Sequence, residues 1–80
     1  MKELIEVTAK YLPDGQLQPL QLIWQQQLYQ IESTGRRWED EEGLHLLVMI
    51  PGGQVFELLY DTQEKRWYLL KSPPLPGRRA

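Results

Sequence analysis

The chain has no cysteine. Disulfides, thiolate nucleophiles and cysteine-based zinc sites are thereby excluded together. The absence agrees with a reducing compartment, and a cytoplasmic protein is expected. Long apolar runs are also missing. None approaches the ~20 residues that a membrane-spanning helix needs, so no membrane contact is expected. The opening stretch MKELIEVTAK has charges at positions 2, 3 and 6 and no apolar segment of the kind a signal peptide carries. Positive charge is scarce over most of the chain. Residues 1–70 hold six Lys/Arg against eleven Asp/Glu, a balance of −5, and the last ten residues return +3. A body of that sign does not draw in phosphate backbones through its average field.

Catalytic residues are equally sparse. His45 is the only histidine, and an imidazole usually needs an orienting partner before it serves as a base or a metal ligand. No defensible Ser-His-Asp spacing occurs. The glycine pair in PGGQ lacks the lysine and the following helix of a phosphate loop. The run Glu39-Asp40-Glu41-Glu42 lacks the alternating spacing and the glycine of a calcium loop, and charge runs of this kind usually face solvent. The expectation is therefore no enzyme, no cofactor and no metal. His45 is read as a strand histidine on an exposed or half-buried face.

What is present is strand. Residues 44–71 read LHLLVMI, PGGQ, VFELLY, DTQEKR and WYLLK. Three apolar runs broken by two turn-rich segments predict an antiparallel meander. Side chains alternate across a strand, so Leu44, Leu46, Val48 and Ile50 share a face, as do Phe56, Leu58 and Tyr60, and Trp67 and Leu69. The middle run is apolar on both faces, which suits a strand covered on both sides in a small barrel. Pro51-Gly52-Gly53 argues against one continuous helix.

Upstream, residues 3–11 alternate, with Ile5, Val7, Ala9 and Tyr11 on one side, and predict a half-buried strand. Pro13-Asp14-Gly15 predicts a turn, because proline presets one corner and glycine tolerates positive φ. Residues 17–31 admit two readings. Leu20, Ile23, Trp24, Gln27, Leu28 and Ile31 lie at helical spacing. Alternatively, Leu20, Leu22 and Trp24 share one face of a strand, which turns at Gln25-Gln26 and returns with Tyr29 and Ile31. Residues 33–43 read as strand end, loop and turn. After Lys71 the segment SPPLPGRRA predicts a disordered or polyproline-like basic tail over 72–80. It contains a P-x-x-P-x-Arg spacing, which low-complexity composition also produces.

Eighty residues make one domain. The prediction is a single all-β domain over 1–71. It has five or six antiparallel strands in an SH3-like barrel or strongly bent sheet, at 2–11, 19–25, 27–34, 44–51, 54–61 and 65–71. An α+β domain with a helix at 19–31 is the alternative.

One pattern carries a resemblance. Pro19, Trp24, Tyr29, Ile31, Trp38, Leu58, Tyr60, Asp61, Trp67 and Leu69 match a motif of the form Pro-x-x-aromatic-x-Trp-x-Gly-x-x-Tyr-x-Val with a late L-x-Tyr-Asp…Trp-x-Leu. In this the chain is similar to a small bacterial β-domain family of unknown function, some of whose members are encoded near error-prone DNA polymerases. The resemblance spans most of residues 18–70. It implies a small β domain in a DNA-damage context and transfers no catalytic residue. Gln26 stands where the pattern has glycine, and Leu22 where it has an aromatic.

The aromatic set is richer than a small core requires. Trp38 and Tyr68, flanked by Arg36, Arg37 and Arg66, form the candidate contact face; the arginines are expected in two turns. Aromatics on one face of a small barrel stack bases or grip peptides, although aromatics also dominate small cores, where Trp24 and Trp67 fit. The expected function is a non-catalytic binding or accessory module, monomeric or weakly dimeric, for a protein or peptide partner. The alternatives are a single-stranded nucleic-acid binder in DNA repair and, further off, a small enzyme.

Overall fold

The computed structural model describes residues 2–71; the predicted tail lies outside the described residues. The chain is all-β, as its alternation predicts, and no helix forms at 19–31. Seven strands run in chain order: β1 (Glu3–Tyr11), β2 (Leu17–Trp24), β3 (Gln27–Gln30), β4 (Ser33–Asp40), β5 (Gly43–Ile50), β6 (Gln54–Asp61) and β7 (Arg66–Lys71). All pairings are antiparallel, in the spatial order β3-β2-β1-β7-β6-β5-β4.

The two strands at the ends of that order, β3 and β4, are consecutive in the chain. Only Ile31 and Glu32 separate them. The Ile31 N–H donates to the Leu20 carbonyl at 2.9 Å, which extends the β2–β3 ladder. The Glu32 N–H donates to the Met49 carbonyl at 2.7 Å, which begins the β4–β5 ladder. One bent stretch, 27–40, therefore serves both ends of the sheet and curls it into a barrel-like form. β1 plays the same part opposite: residues 3–5 pair with β7, and residues 6–11 pair with β2. Sharing strands in this way leaves little open edge, and unpaired edges are a liability.

The turns follow their residues. Gly15 donates its N–H to the Leu12 carbonyl across Pro13 and Asp14, and the Asp14 side chain takes the Gln16 N–H. Gly53 closes on Ile50 across Pro51-Gly52, with Gly52 at φ +101° in the position that requires a positive value. Pro19 sits inside β2, where a missing donor is tolerated only at an irregularity. The register there supplies one: Thr8 pairs with Gln21 but Ala9 pairs with Pro19, so Leu20 is bulged outward and 37% exposed while Pro19 is buried. Leu20 was expected to share a face with Leu22 and Trp24; the bulge explains the difference.

The core is built from Leu17, Leu22, Trp24, Leu46, Val48, Ile50, Phe56, Leu58, Trp67 and Leu69. Each fully buried Leu or Phe contributes about 1.5–3 kcal/mol. Trp24 meets Phe56 edge to face at 5.5 Å, and Tyr29 packs on both, so aromatics clamp β2 and β3 onto β6. Trp24 and Trp67 fill the core as expected. Ile5, Val7 and Ala9 also face inward, but Tyr11 at the strand end is 67% exposed rather than half-buried. Residues 33–40 form a full strand, not the predicted loop. Their polar composition hid a strand that has one wet face.

The β2–β3 turn is closed by Gln25 at φ +52° and Gln26 at φ +64°. Both residues occupy the left-handed region, which costs a non-glycine residue about 1–2 kcal/mol; this hairpin geometry favours Asn-Gly. The double substitution Gln25→Asn, Gln26→Gly is therefore expected to raise stability by about 1–2 kcal/mol in urea unfolding. An unchanged or lowered midpoint would contradict this turn conformation.

Candidate functional site

On the outer face of the sheet, register alone aligns a row of side chains across five strands. Trp38 pairs with His45, His45 with Leu59, Leu59 with Tyr68, and Tyr68 with Leu4. Leu59 in the middle is fully buried, and His45 is only 5% exposed. Leu4 at the end of the row is 60% exposed. Arg36 and Arg66 flank the row, each two residues from its aromatic neighbour on the same strand.

Four of the five expected contact residues thus share this face; Arg37 does not. It pairs with Leu46 on the core side, and its guanidinium donates from Nη1 to the Leu17 carbonyl at 3.1 Å, tying β4 to the start of β2. Arg36 and Arg37 lie in β4 rather than in a turn. Ordinary alternation separates the two: Arg37, in regular register with Trp38, enters the interior, while Arg36 places its guanidinium 5.1 Å from the Trp38 ring centre on the outside.

The row has two different ends. At the β4 end, Trp38 lies flat on His45, with ring centres 5.0 Å apart and planes 6° apart. Below this roof the imidazole stands between carboxylates. Asp40 Oδ2 is 2.9 Å from Nε2, and Glu57 Oε2 is 3.6 Å from Nδ1. The ring nitrogens are close to these oxygens but not aimed along a linear hydrogen bond, and neither has another partner. His45 was expected on an exposed or half-buried face without an orienting partner. It is buried and held from both sides. Sequence reasoning missed this because the partners come from other strands: Asp40 from the end of β4 and Glu57 from β6. The Asp40 carboxyl is held below its ordinary value, chiefly by the Glu42 N–H that it accepts at 2.9 Å, with His45 adding to this against the opposing effect of burial.

At the other end the sheet opens into a groove of about 810 Å³, lined by Leu4, Glu6, Ile23, Lys65, Arg66 and Trp67 among others. It forms where β1 changes partner from β7 to β2. Ile23 is 40% exposed. Tyr68, the register partner of Leu4, has the Lys2 ammonium 4.4 Å from its ring centre and its hydroxyl donating to Glu64 at 3.2 Å. Leu4 and Ile23 lie among polar residues on the outer face of their strands, Glu6 and Thr8 on β1 and Gln21 on β2, and nothing in their local spacing marks them as neighbours.

No family model, curated protein or solved structure matches the chain. No helix among the described residues is long and apolar enough to cross a membrane.

Arg66 is positioned by the turn before it. Asp61 accepts the N–H groups of Gln63 and Glu64 at 2.9 and 3.0 Å. The Glu64 N–H is the main reason its carboxyl lies below the ordinary value, with Lys2 and Arg66 contributing by charge. A carboxyl lowered in the folded state stabilises above its unfolded pKa, and that stability is lost as pH falls through the folded value. Asp61→Ala is therefore expected to destabilise at pH 7 and to converge with the wild type as pH falls below the ordinary carboxylate range in pH-resolved thermal melts. A gap of constant size at all pH values would contradict this role.

Proposed function

We propose that this domain is a non-catalytic binding module for a protein or peptide segment, received in the groove at β1 with Leu4, Ile23, Arg66 and Tyr68 as its principal contacts. The observation that carries the reading is the exposure of Leu4 and Ile23, at 60% and 40%, on the walls of an open groove that also presents Lys65 and Arg66. Apolar walls with a few charged groups are the common makeup of a binding site. An extended segment with an apolar side chain and a nearby carboxylate complements these walls. Trp38 and Arg36 extend the same face away from the groove.

A catalytic reading gains less support. The one histidine is roofed by Trp38 and lies away from the groove, so no substrate atom is placed beside it. The nucleic-acid reading rests on the resemblance to a family with members encoded near error-prone DNA polymerases. Stacking sites for bases need free aromatic faces. Here the Trp38 face is shared with His45 and Arg36, and Tyr68 carries Lys2. The −5 balance of residues 1–70 also opposes phosphate.

Panning a random peptide library against the immobilised domain tests the proposal. Selected peptides are expected to share an apolar residue near an acidic one. The variant Leu4→Asp, Arg66→Glu should keep its circular dichroism spectrum and bind them at least ~10-fold more weakly, about 1.4 kcal/mol. Equal binding by that variant would overturn the groove as the site. Salt-sensitive binding of an oligothymidine at low ionic strength would favour the nucleic-acid reading instead.

A further inference from the structure

His45 is the one buried polar or charged side chain among the described residues. Buried polar groups are nearly always hydrogen-bonded, and an exception needs an explanation. Neither His45 nitrogen makes a well-aligned hydrogen bond, although Nε2 lies 2.9 Å from Asp40 Oδ2. A donor and an acceptor at that separation, but out of line, are arranged like two ligands of a common centre. Two ligands each about 2.1 Å from a tetrahedral ion stand about 3.4 Å apart, so the pair needs to part by only about half an ångström to admit one.

A third ligand is at hand. Asp40, Glu42 and His45 each offer an atom, and these atoms lie within 4.8 Å of one another. The local fold explains the convergence. Asp40 pairs with Gly43 at the mouth of the β4–β5 hairpin, so Glu41 and Glu42 form its tip. The Glu42 N–H bond to Asp40 Oδ1 turns the other carboxylate oxygen, Oδ2, toward the imidazole. Gly43 lets the hairpin sit tightly against β6: a Cβ there would lie 2.3 Å from the Tyr60 carbonyl oxygen.

We propose that the tip of the β4–β5 hairpin binds a first-row divalent cation, with Zn²⁺ the best-suited case, through Asp40, Glu42 and His45 Nε2. The donor set selects the class. Imidazole favours Zn²⁺ and its neighbours, whereas Ca²⁺ takes six to eight oxygens and Mg²⁺ prefers oxygen and water. Three protein ligands leave the remaining positions to water. Glu57 completes the arrangement. A metal on Nε2 requires the proton on Nδ1, and Glu57 Oε2, 3.6 Å from that atom, is the carboxylate that would accept it after a short approach. Metal-ligating histidines usually donate their second N–H to such a carboxylate. Trp38, stacked within 6° of parallel, fixes the plane of the ring. The site is separate from the groove at β1 and stands without it.

Titration of the chain, free of any polyhistidine tag, with ZnCl₂ tests the inference by calorimetry and by the ¹H–¹⁵N spectrum of the His45 imidazole. One Zn²⁺ per chain is expected, with the Nε2 resonance moving to its metal-bound position and the melting temperature rising by a few degrees. Asp40→Asn, Glu42→Gln changes two exposed residues and should preserve the fold by circular dichroism while weakening Zn²⁺ binding at least ~10-fold. Glu57→Gln should weaken it less. An equal concentration of Mg²⁺ or Ca²⁺ should not displace the ion. Unchanged affinity in the double variant, or Zn²⁺ uptake that leaves the imidazole resonances in place, would overturn the site. Absence of any Zn²⁺ response would also overturn it, leaving His45 as an intramolecular ion-pair partner of Asp40 and Glu57.

Discussion

The amides of Ile31 and Glu32 donate to opposite ends of the sheet, the first to Leu20 in β2 and the second to Met49 in β5. This change of partner within two residues is the constraint on which the fold depends. Without it, β3 and β4 would be the open edges of a long curled sheet, and each would present unpaired backbone groups to water or to another chain. With it, the inner faces of β2 and β6 approach, and Trp24, Tyr29 and Phe56 pack as one aromatic cluster. A small domain buries a modest share of its surface, so this bridge between the two halves of the core matters more than it would in a larger protein.

The outer face follows from the same geometry. Because β1 also divides its pairing, between β7 and β2, the sheet bends there and opens the groove beside Leu4 and Ile23. Farther round, β4 continues past its register irregularity to Asp40, which brings Trp38 over His45 and the hairpin tip against β6. The groove presents Lys65 and Arg66 beside Glu6, whereas Asp40, Glu42 and Glu57 gather around the imidazole. One strand face accommodates two unlike surfaces.

Much of the fold was legible in the residues. Strong alternation in 44–71 marked three strands whose ends moved by at most about a residue, and Pro13-Asp14-Gly15 and Pro51-Gly52-Gly53 specified their turns by backbone chemistry. The strand at 33–40 was not legible, because Ser33, Gly35, Arg36, Glu39 and Asp40 give it the composition of a loop. Its strand character comes from pairing with β5, which is a tertiary effect. The candidate face was half legible. Trp38, Tyr68, Arg36 and Arg66 share it, but Arg37 does not, since the expected turn is a strand, on which Arg37 alternates to the face opposite Trp38. The surroundings of His45 were hidden for a further reason. Glu57 and Asp40 reach it across strand pairs, and no local spacing encodes a cross-strand neighbour.

Amide hydrogen exchange followed residue by residue tests the shared-strand closure most directly. If Ile31 and Glu32 join the two ends of the sheet, their amides exchange only through opening of the whole domain, with protection matching that of Leu58 and Leu59 in the central strand. Exchange at Ile31 and Glu32 as fast as at the exposed Gln25-Gln26 turn would show that the ends of the sheet are not joined, and the barrel-like account would fail.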